Sequence, residues 1–206
     1  MLIDVHVHTS ISPCSVLDMD TILEVSRQRG MDGVCLTDHD TMDAAGVVRE
    51  GVQDDGFVVL VGMEYTTPQG DFLIFGPFED IERGMDARDM LPFVREADGV
   101  AIGAHPYRGW RPAQQALFKQ GLCSVIEGVN GRNTVSENLS AQVLAQKHGL
   151  PMSGGSDAHR TDELSKFPTR FMDRIESRED LIRALRLGRC EPAWLNQPVR
   201  KTSTTG

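Results

Sequence analysis

The sequence predicts an α/β fold, and three observations predict it. Short apolar runs alternate with segments of helical period along the chain, and several of the runs are too apolar to leave a face in water. The third observation is length: 206 residues, against roughly 150 per domain, favour one compact unit. Strands alternating with helices imply βαβ units and a parallel sheet covered on both faces. Six or seven strands in this length suit a small, incomplete barrel better than two domains.

The elements follow in order. Leu2–His6 reads as the first strand, and a helix over 18–29 ends where Gly30 supplies a C-cap. Gly33–Thr37 reads as a second strand, followed by a helix over 41–51. Phe57–Tyr65 and Phe72–Phe75 read as strands, then a helix over 86–97 leads to the strand Val100–Ala104. A helix over 112–119, the strand Ser124–Val129 and a helix over 134–148 closed by Gly149 come next. Pro151–Gly155 is the last predicted strand, and Ser177 with Asp180 resembles a capping box opening a helix over 178–187. A single domain is expected over residues 1–200, with the polar 201–206 as a frayed tail.

Composition narrows the function. Hydrophobic residues make up 40% and charged residues 25%, which is ordinary globular usage. No apolar stretch approaches the ~20 residues that span a bilayer, and no basic-then-apolar leader opens the chain, so a soluble cytoplasmic protein with no membrane partner is expected. Lys plus Arg is 21 against 30 Asp plus Glu, a formal charge of −9, which disfavours extended nucleic acid as a partner. The four cysteines (Cys14, Cys35, Cys123 and Cys190) show no CxxC spacing, so neither a disulfide framework nor a zinc knuckle is expected.

The histidines carry the chemistry. Of six, five stand at or just past the end of a predicted strand. His6 and His8 close the first, and with Asp4 they share one face because a strand has period two. His39 lies in LTDHD, Glu64 in VGMEYTT, Asp71 in PQGDFLIFG and His105 in IGAHPYR; Asp157 and His159 stand i, i+2 in GGSDAH. Such residues at strand C-termini lie where parallel α/β barrels place their sites, and a mixed His/Asp/Glu set suits hydrolytic metals. His148, in the last turn before Gly149, fits a helix-dipole role instead.

With DVHVHTSIS, LTDHDT, GMEYTT, AHPYR and GGSDAH in this order, and Phe171–Pro192 as a closing segment, the sequence resembles the PHP family, the polymerase and histidinol phosphatase domain. The resemblance covers about residues 1–192. It implies a distorted (β/α)7, TIM-like barrel holding two or three divalent ions (Mn, Zn or Fe). By matched motif, His6, His8, Glu64 and Asp157 would hold one ion, Glu64 and His105 a second, and His39 with His159 a third. Asp71 stands where many members carry histidine, which shifts preference towards harder ions such as Mn. The loop after His8 offers only Ser12, Pro13, Cys14 and Ser15, leaving Cys14 as the one thiolate available to the third site. Only 33 residues lie between Asp71 and His105, too few for an inserted capping domain.

The activity implied is hydrolysis of phosphate esters, as a phosphatase or phosphodiesterase. Two ions about 3.5–4 Å apart would acidify a bridging water and hold the attacking and leaving oxygens. Asp4 and Asp38 are placed to fix imidazole tautomers. His159 or His39 would protonate the leaving group if the third ion is missing. Arg108 is the best-placed phosphate-binding cation, with Arg132 and Arg160 as others. The expected substrate is a small phosphorylated compound such as a nucleotide, sugar or amino-alcohol phosphate, and an oligomer is left open. Two alternatives stand: a metal-dependent amidohydrolase-like enzyme, disfavoured because none of the four lysines (Lys119, Lys147, Lys166, Lys201) lies in a predicted strand, and a catalytically silent binding domain, disfavoured because eight ligand positions are kept.

Overall fold

Every apolar run of the sequence becomes a strand. The computed structural model describes residues 1–194, and the tail expected at 201–206 lies outside them. The order is β1 (Leu2–Val7), α1 (Met19–Gln28), β2 (Gly33–Leu36), β3 (Gly51–Val52), β4 (Val58–Val61), β5 (Met63–Thr67), β6 (Gly70–Phe75), α2 (Ala87–Glu96), β7 (Val100–Gly103), α3 (Gln115–Lys119), β8 (Val125–Asn130), α4 (Val135–His148), β9 (Met152–Gly155), β10 (Thr169–Phe171), α5 (Arg178–Arg186) and β11 (Cys190–Pro192).

The α/β class holds, but the strands form two sheets, ordered β11-β10-β1-β2-β4-β3 and β5-β6-β7-β8-β9. The β1-β2-β4 and β7-β8-β9 neighbours are parallel, whereas β5-β6-β7, β3-β4 and β1-β10-β11 are antiparallel. No continuous ladder closes a ring among the described residues. The two sheets meet instead beyond their strand ends. Asp157 N donates to His6 O at 2.8 Å and His8 N to Ala158 O at 3.0 Å on one side; Glu64 N donates to Asp38 O and Asp40 N to Glu64 O, each at 3.0 Å, on the other. These seams carry the histidines and acids.

The predicted run Phe57–Tyr65 breaks at Gly62, where the chain leaves the ladder with β2 for the one with β6. A Cβ there would lie 2.6 Å from the Phe75 ring and 2.7 Å from Ile74 O, so only glycine lets the corner pass so close. The helix expected over 41–51 is only a four-residue 3-10 turn, Asp43–Gly46, followed by β3. Gly46 and the β-branched Val47 and Val48 interrupt what Ala44 and Ala45 begin. The helix expected over 112–119 likewise shortens to α3.

Both faces of the central strands are buried. Ile3, Val5, Leu60, Leu73, Phe75 and Ile102 pack with Leu181 and Leu185 of α5. On the other side Ile22, Leu91, Val94, Ala141 and Leu144 bring α1, α2 and α4 onto Val34, Leu36, Val59 and Ile126. Each such side chain contributes about 1.5–3 kcal/mol. Among the described residues no helix is long and apolar enough to cross a membrane.

Candidate metal centre

Charged and imidazole side chains gather at the seams, all buried: His6, His8, Glu64, Asp71, His105, Glu127, Asp157 and His159. Unpaired charges are costly to bury, so such a concentration requires compensation. His105 and Asp157 are held in the left-handed region, with φ of 32° and 53°, conformations that cost energy and cluster at functional sites.

Three sets of potential ligand atoms result: His6, His8, Glu64 and Asp157; Glu64, Asp71 and His105; and His8, His39 and His159. Within each set the atoms lie within 4.8 Å of one another. Glu64 belongs to two sets. Its Oε2 lies 3.3 Å from His6 Nε2, 3.1 Å from His8 Nε2 and 3.2 Å from His39 Nδ1, and its Oε1 lies 2.8 Å from His105 Nε2. Asp157 Oδ1 lies 3.6 Å from His6 Nε2 and 3.4 Å from His8 Nε2.

The hydrogen bonds behind the rings test whether this set fits a cation. His6 Nδ1 faces Glu127 Oε1 at 2.9 Å, and a carboxylate only accepts, so Nδ1 carries the proton and Nε2 is free. His6 Nε2 then stands 3.1 Å from His8 Nε2, between two carboxylate oxygens. One proton between the rings satisfies this contact, but the ring left accepting then turns its lone pair towards the Glu64 and Asp157 carboxylate oxygens, and two protons set N–H against N–H. A cation shared by the four atoms removes the conflict. His39 Nδ1 and Asp71 Oδ1, both buried and aimed into the cluster, also lack a well-directed hydrogen bond. The donor set fits divalent metals.

Protons act as partial substitutes. Burial alone would lower the His6 and His8 pKa values, but Asp157, Glu64 and, for His6, Glu127 hold both above the usual histidine range. Burial would raise Glu64 and Asp157, yet the adjacent histidines keep both carboxyls well below their ordinary range. Burial and the Glu64 charge push Asp71 up to about 6. Burial lowers His39, and burial with the neighbouring His8 lowers His159 to about 4, so both rings are neutral at pH 7.

The cluster opens into a cavity of about 380 Å³, where three arginines stand beside ligand residues. Arg108 donates to Asp157 Oδ2 and Asn130 Oδ1, each at 2.6 Å, and to Asn133 Oδ1 at 3.0 Å. Arg111 pairs with Asp71 Oδ1 at 2.8 Å, and Arg132 Nη1 lies 2.9 Å from His159 Nδ1. Arg160 lies outside this cavity, exposed and 3.4 Å from Asp162. Cys14 is exposed, lines the cavity and joins none of the three ligand sets.

The two residues expected to orient imidazoles do something else. Asp4 accepts from Ser156 N at 3.0 Å and Ser165 N at 2.9 Å, so it ties loops and touches no ring. Asp38 accepts from Thr9 N, Thr9 Oγ1 and Ser12 Oγ at 2.8, 2.8 and 2.6 Å, and it reaches His8 only through Ser12, whose Oγ lies 3.5 Å from Nδ1. The orienting carboxylate is Glu127, which sequence reasoning missed. Its signal was one acid inside the apolar run Ser124–Val129, where an unpaired charge has no reason to be. Arg111 was also missed.

An α/β scaffold thus carries, beneath guanidinium groups, a buried multi-histidine, multi-carboxylate centre that could hold metal ions. The chain belongs to the PHP family: residues 4–149 match the PHP domain, and residues 135–190, overlapping its end, match a PHP-associated model. It is 30% identical over 117 residues to an uncharacterized protein of Methanocaldococcus jannaschii, covering 52% of this chain and 68% of that one. A two-domain protein of Bacteroides vulgatus, described as containing a predicted PHP-like metal-dependent phosphoesterase, superposes with a TM-score of 0.67 at 19% identity, covering 94% of this chain and 64% of that one. The lesion-specific endonuclease Q of Pyrococcus furiosus gives 0.68 at 15% identity, covering 93% and 57%. That neighbour sits poorly with an expectation against extended nucleic acid drawn from net charge alone, since the same fold occurs in a nuclease.

Proposed function

We propose that this chain is a metal-dependent phosphoesterase, a phosphatase or phosphodiesterase, acting as a single α/β domain. The observation that carries the reading is the convergence of His6 Nε2, His8 Nε2, Glu64 Oε2 and Asp157 Oδ1 on one point with no set of protons that suits them all. Glu64 with Asp71 and His105 would hold a second ion, and His8, His39 and His159 a third. Bound Mn, Zn or Fe supplies positive charge against the phosphoryl oxygens and acidifies the attacking water.

The rest falls to side chains. Glu127 keeps His6 in the tautomer whose Nε2 faces the centre. His39 and His159, neutral at pH 7, suit ligation better than donation of a proton to the leaving group. Arg108, Arg111 and Arg132 line the cavity, and guanidinium is the side-chain group suited to phosphate. The amidohydrolase reading loses ground because, among the described residues, Lys119 and Lys147 lie in helices and Lys166 in a loop, whereas Glu64 joins two of the ligand sets.

The test is elemental analysis of protein purified without chelator, followed by Mn- and Zn-supplemented assays on p-nitrophenyl phosphate and its bis-ester. Two or three ions per chain are expected, with hydrolysis abolished in His6→Ala and Asp157→Ala. No bound metal after Mn or Zn is supplied would sink the reading. Arg108→Ala is expected to raise KM about tenfold or more with the metal content kept, because Asp157 retains Oδ1 for the histidines. Unchanged kinetics would remove Arg108 from the site.

A further inference from the structure

Asp157 and Asp71 each belong to a single ligand set, and each carries its own arginine. The two pairs are built differently. Asp157 divides its oxygens: Oδ2 takes Arg108 at 2.6 Å, while Oδ1 stays with His6 and His8. Arg108 therefore leaves the first set a whole carboxylate oxygen. Arg111 Nη2, by contrast, lies 2.8 Å from Asp71 Oδ1, a buried oxygen that no well-directed hydrogen bond satisfies among the described residues.

The guanidinium is held in that place from several sides. It also donates to Thr66 Oγ1, and Thr66 stands directly across the β5–β6 ladder from Asp71. Asp71 N in turn donates to Arg111 O at 3.3 Å, and Ala104 N donates to Asp71 O at 3.0 Å. The Arg111 backbone sits in the left-handed region at φ 51°, where a residue with a Cβ is strained. Gly70 lets the two segments approach, because a Cβ there would run into Pro112 O. Backbone strain and close packing thus station a cation on an acid of the second set. A divalent ion seated by Glu64, Asp71 and His105 would meet that charge at short range in a buried site, where like charges repel most.

We propose that Arg111 is a resident counter-ion that competes with the second metal ion for Asp71, so that the chain loads in two steps. The first ion is held tightly, and the second is held more weakly and follows the ambient metal supply. This rests on the reading of Glu64, Asp71 and His105 as ligands of a second ion.

The experiment titrates chelator-treated protein with Mn at pH 8, reading bound metal by calorimetry and by the electron paramagnetic resonance of free Mn. Wild type is expected to show a tight step and a weaker one. Arg111→Gln should tighten the weaker step about tenfold or more and leave the tight step within about threefold. Thr66→Val, which removes one tether of the guanidinium and keeps Asp71, should tighten the same step about threefold. Asp71→Asn should abolish that step, and adding Arg111→Gln to it should restore nothing. A residue that merely braced its loop would weaken metal binding when replaced. In chelator, Arg111→Gln should melt below wild type, because Asp71 loses its counter-ion, yet gain more in Tm from Mn. Second-step binding in Arg111→Gln equal to or weaker than wild type overturns the competition, as does a gain that persists beside Asp71→Asn. If Arg111→Gln does not fold, an unchanged second step in Thr66→Val overturns it equally. A single tight step in every variant rejects the second ion and its competitor together. No Mn bound by wild type or any variant rejects the metal centre itself, and the phosphoesterase reading with it.

Discussion

Replacing Glu64 by glutamine is expected to remove metal and turnover together. Both Glu64 oxygens are committed: Oε2 faces His6, His8 and His39, and Oε1 faces His105 at 2.8 Å. Among the described residues no other belongs both to the first ligand set and to the set containing Asp71 and His105. Glutamine fills the same volume but removes one negative charge and turns an N–H pair towards atoms that must accept a cation. Elemental analysis should show about one ion per chain lost, and kcat should fall on the order of a thousandfold, since such an ion contributes several kcal/mol to the transition state. The fold should survive, because the apolar clusters on either side of the strands are untouched. Circular dichroism of the metal-free variant checks this. Full metal content with activity within tenfold of wild type would show that Glu64 does not join the two sets.

Much of this centre was legible because strand ends are legible. An apolar run stops where the chain emerges, so a histidine or acid at that point has no packing reason to be there. His6 with His8 and Asp157 with His159 added the i, i+2 spacing that puts two side chains on one face. Residues whose role depends on distant pairing were not legible. Arg111 meets Asp71 across a turn whose left-handed φ of 51° no sequence pattern announced. Strands β10 and β11, three residues each, exist because β1 offers an edge to β10, and nothing local distinguishes them from loop. One of the two breaks between the sheets falls at Gly62, where a single apolar run changes partners. Asp4 had the right spacing to serve a ring, but the loops at Ser156 and Ser165 claim its oxygens.

Glu127→Gln is the substitution that separates orienting the ligands from holding the metal. Both carboxylate oxygens accept: Oε1 from His6 Nδ1 at 2.9 Å, and Oε2 from His105 N at 2.8 Å and Asn130 Nδ2 at 2.9 Å. The side chain has room only because residue 155 is glycine; a Cβ there would lie 2.5 Å from Oε1 and 2.6 Å from His6 Cβ. An amide offers one oxygen where two are needed. If it serves His105 N and Asn130, its NH2 confronts His6, which must move its proton to Nε2 and lose the lone pair aimed at the centre. If it serves His6, the buried His105 N–H is left unpaired, at a cost of about 1–3 kcal/mol, or roughly 2–4 °C in Tm for each kcal/mol. Metal affinity is therefore expected to fall about 10–100-fold, read as Kd in a metal titration, together with a lower Tm in chelator. The two carboxylates then part company under excess metal. Saturating Mn or Zn should restore most of the turnover of Glu127→Gln, because every ligand atom is still present, whereas no concentration should restore Glu64→Gln. Wild-type Kd and Tm in Glu127→Gln would mean that the His6 tautomer is fixed by the centre itself and not from behind.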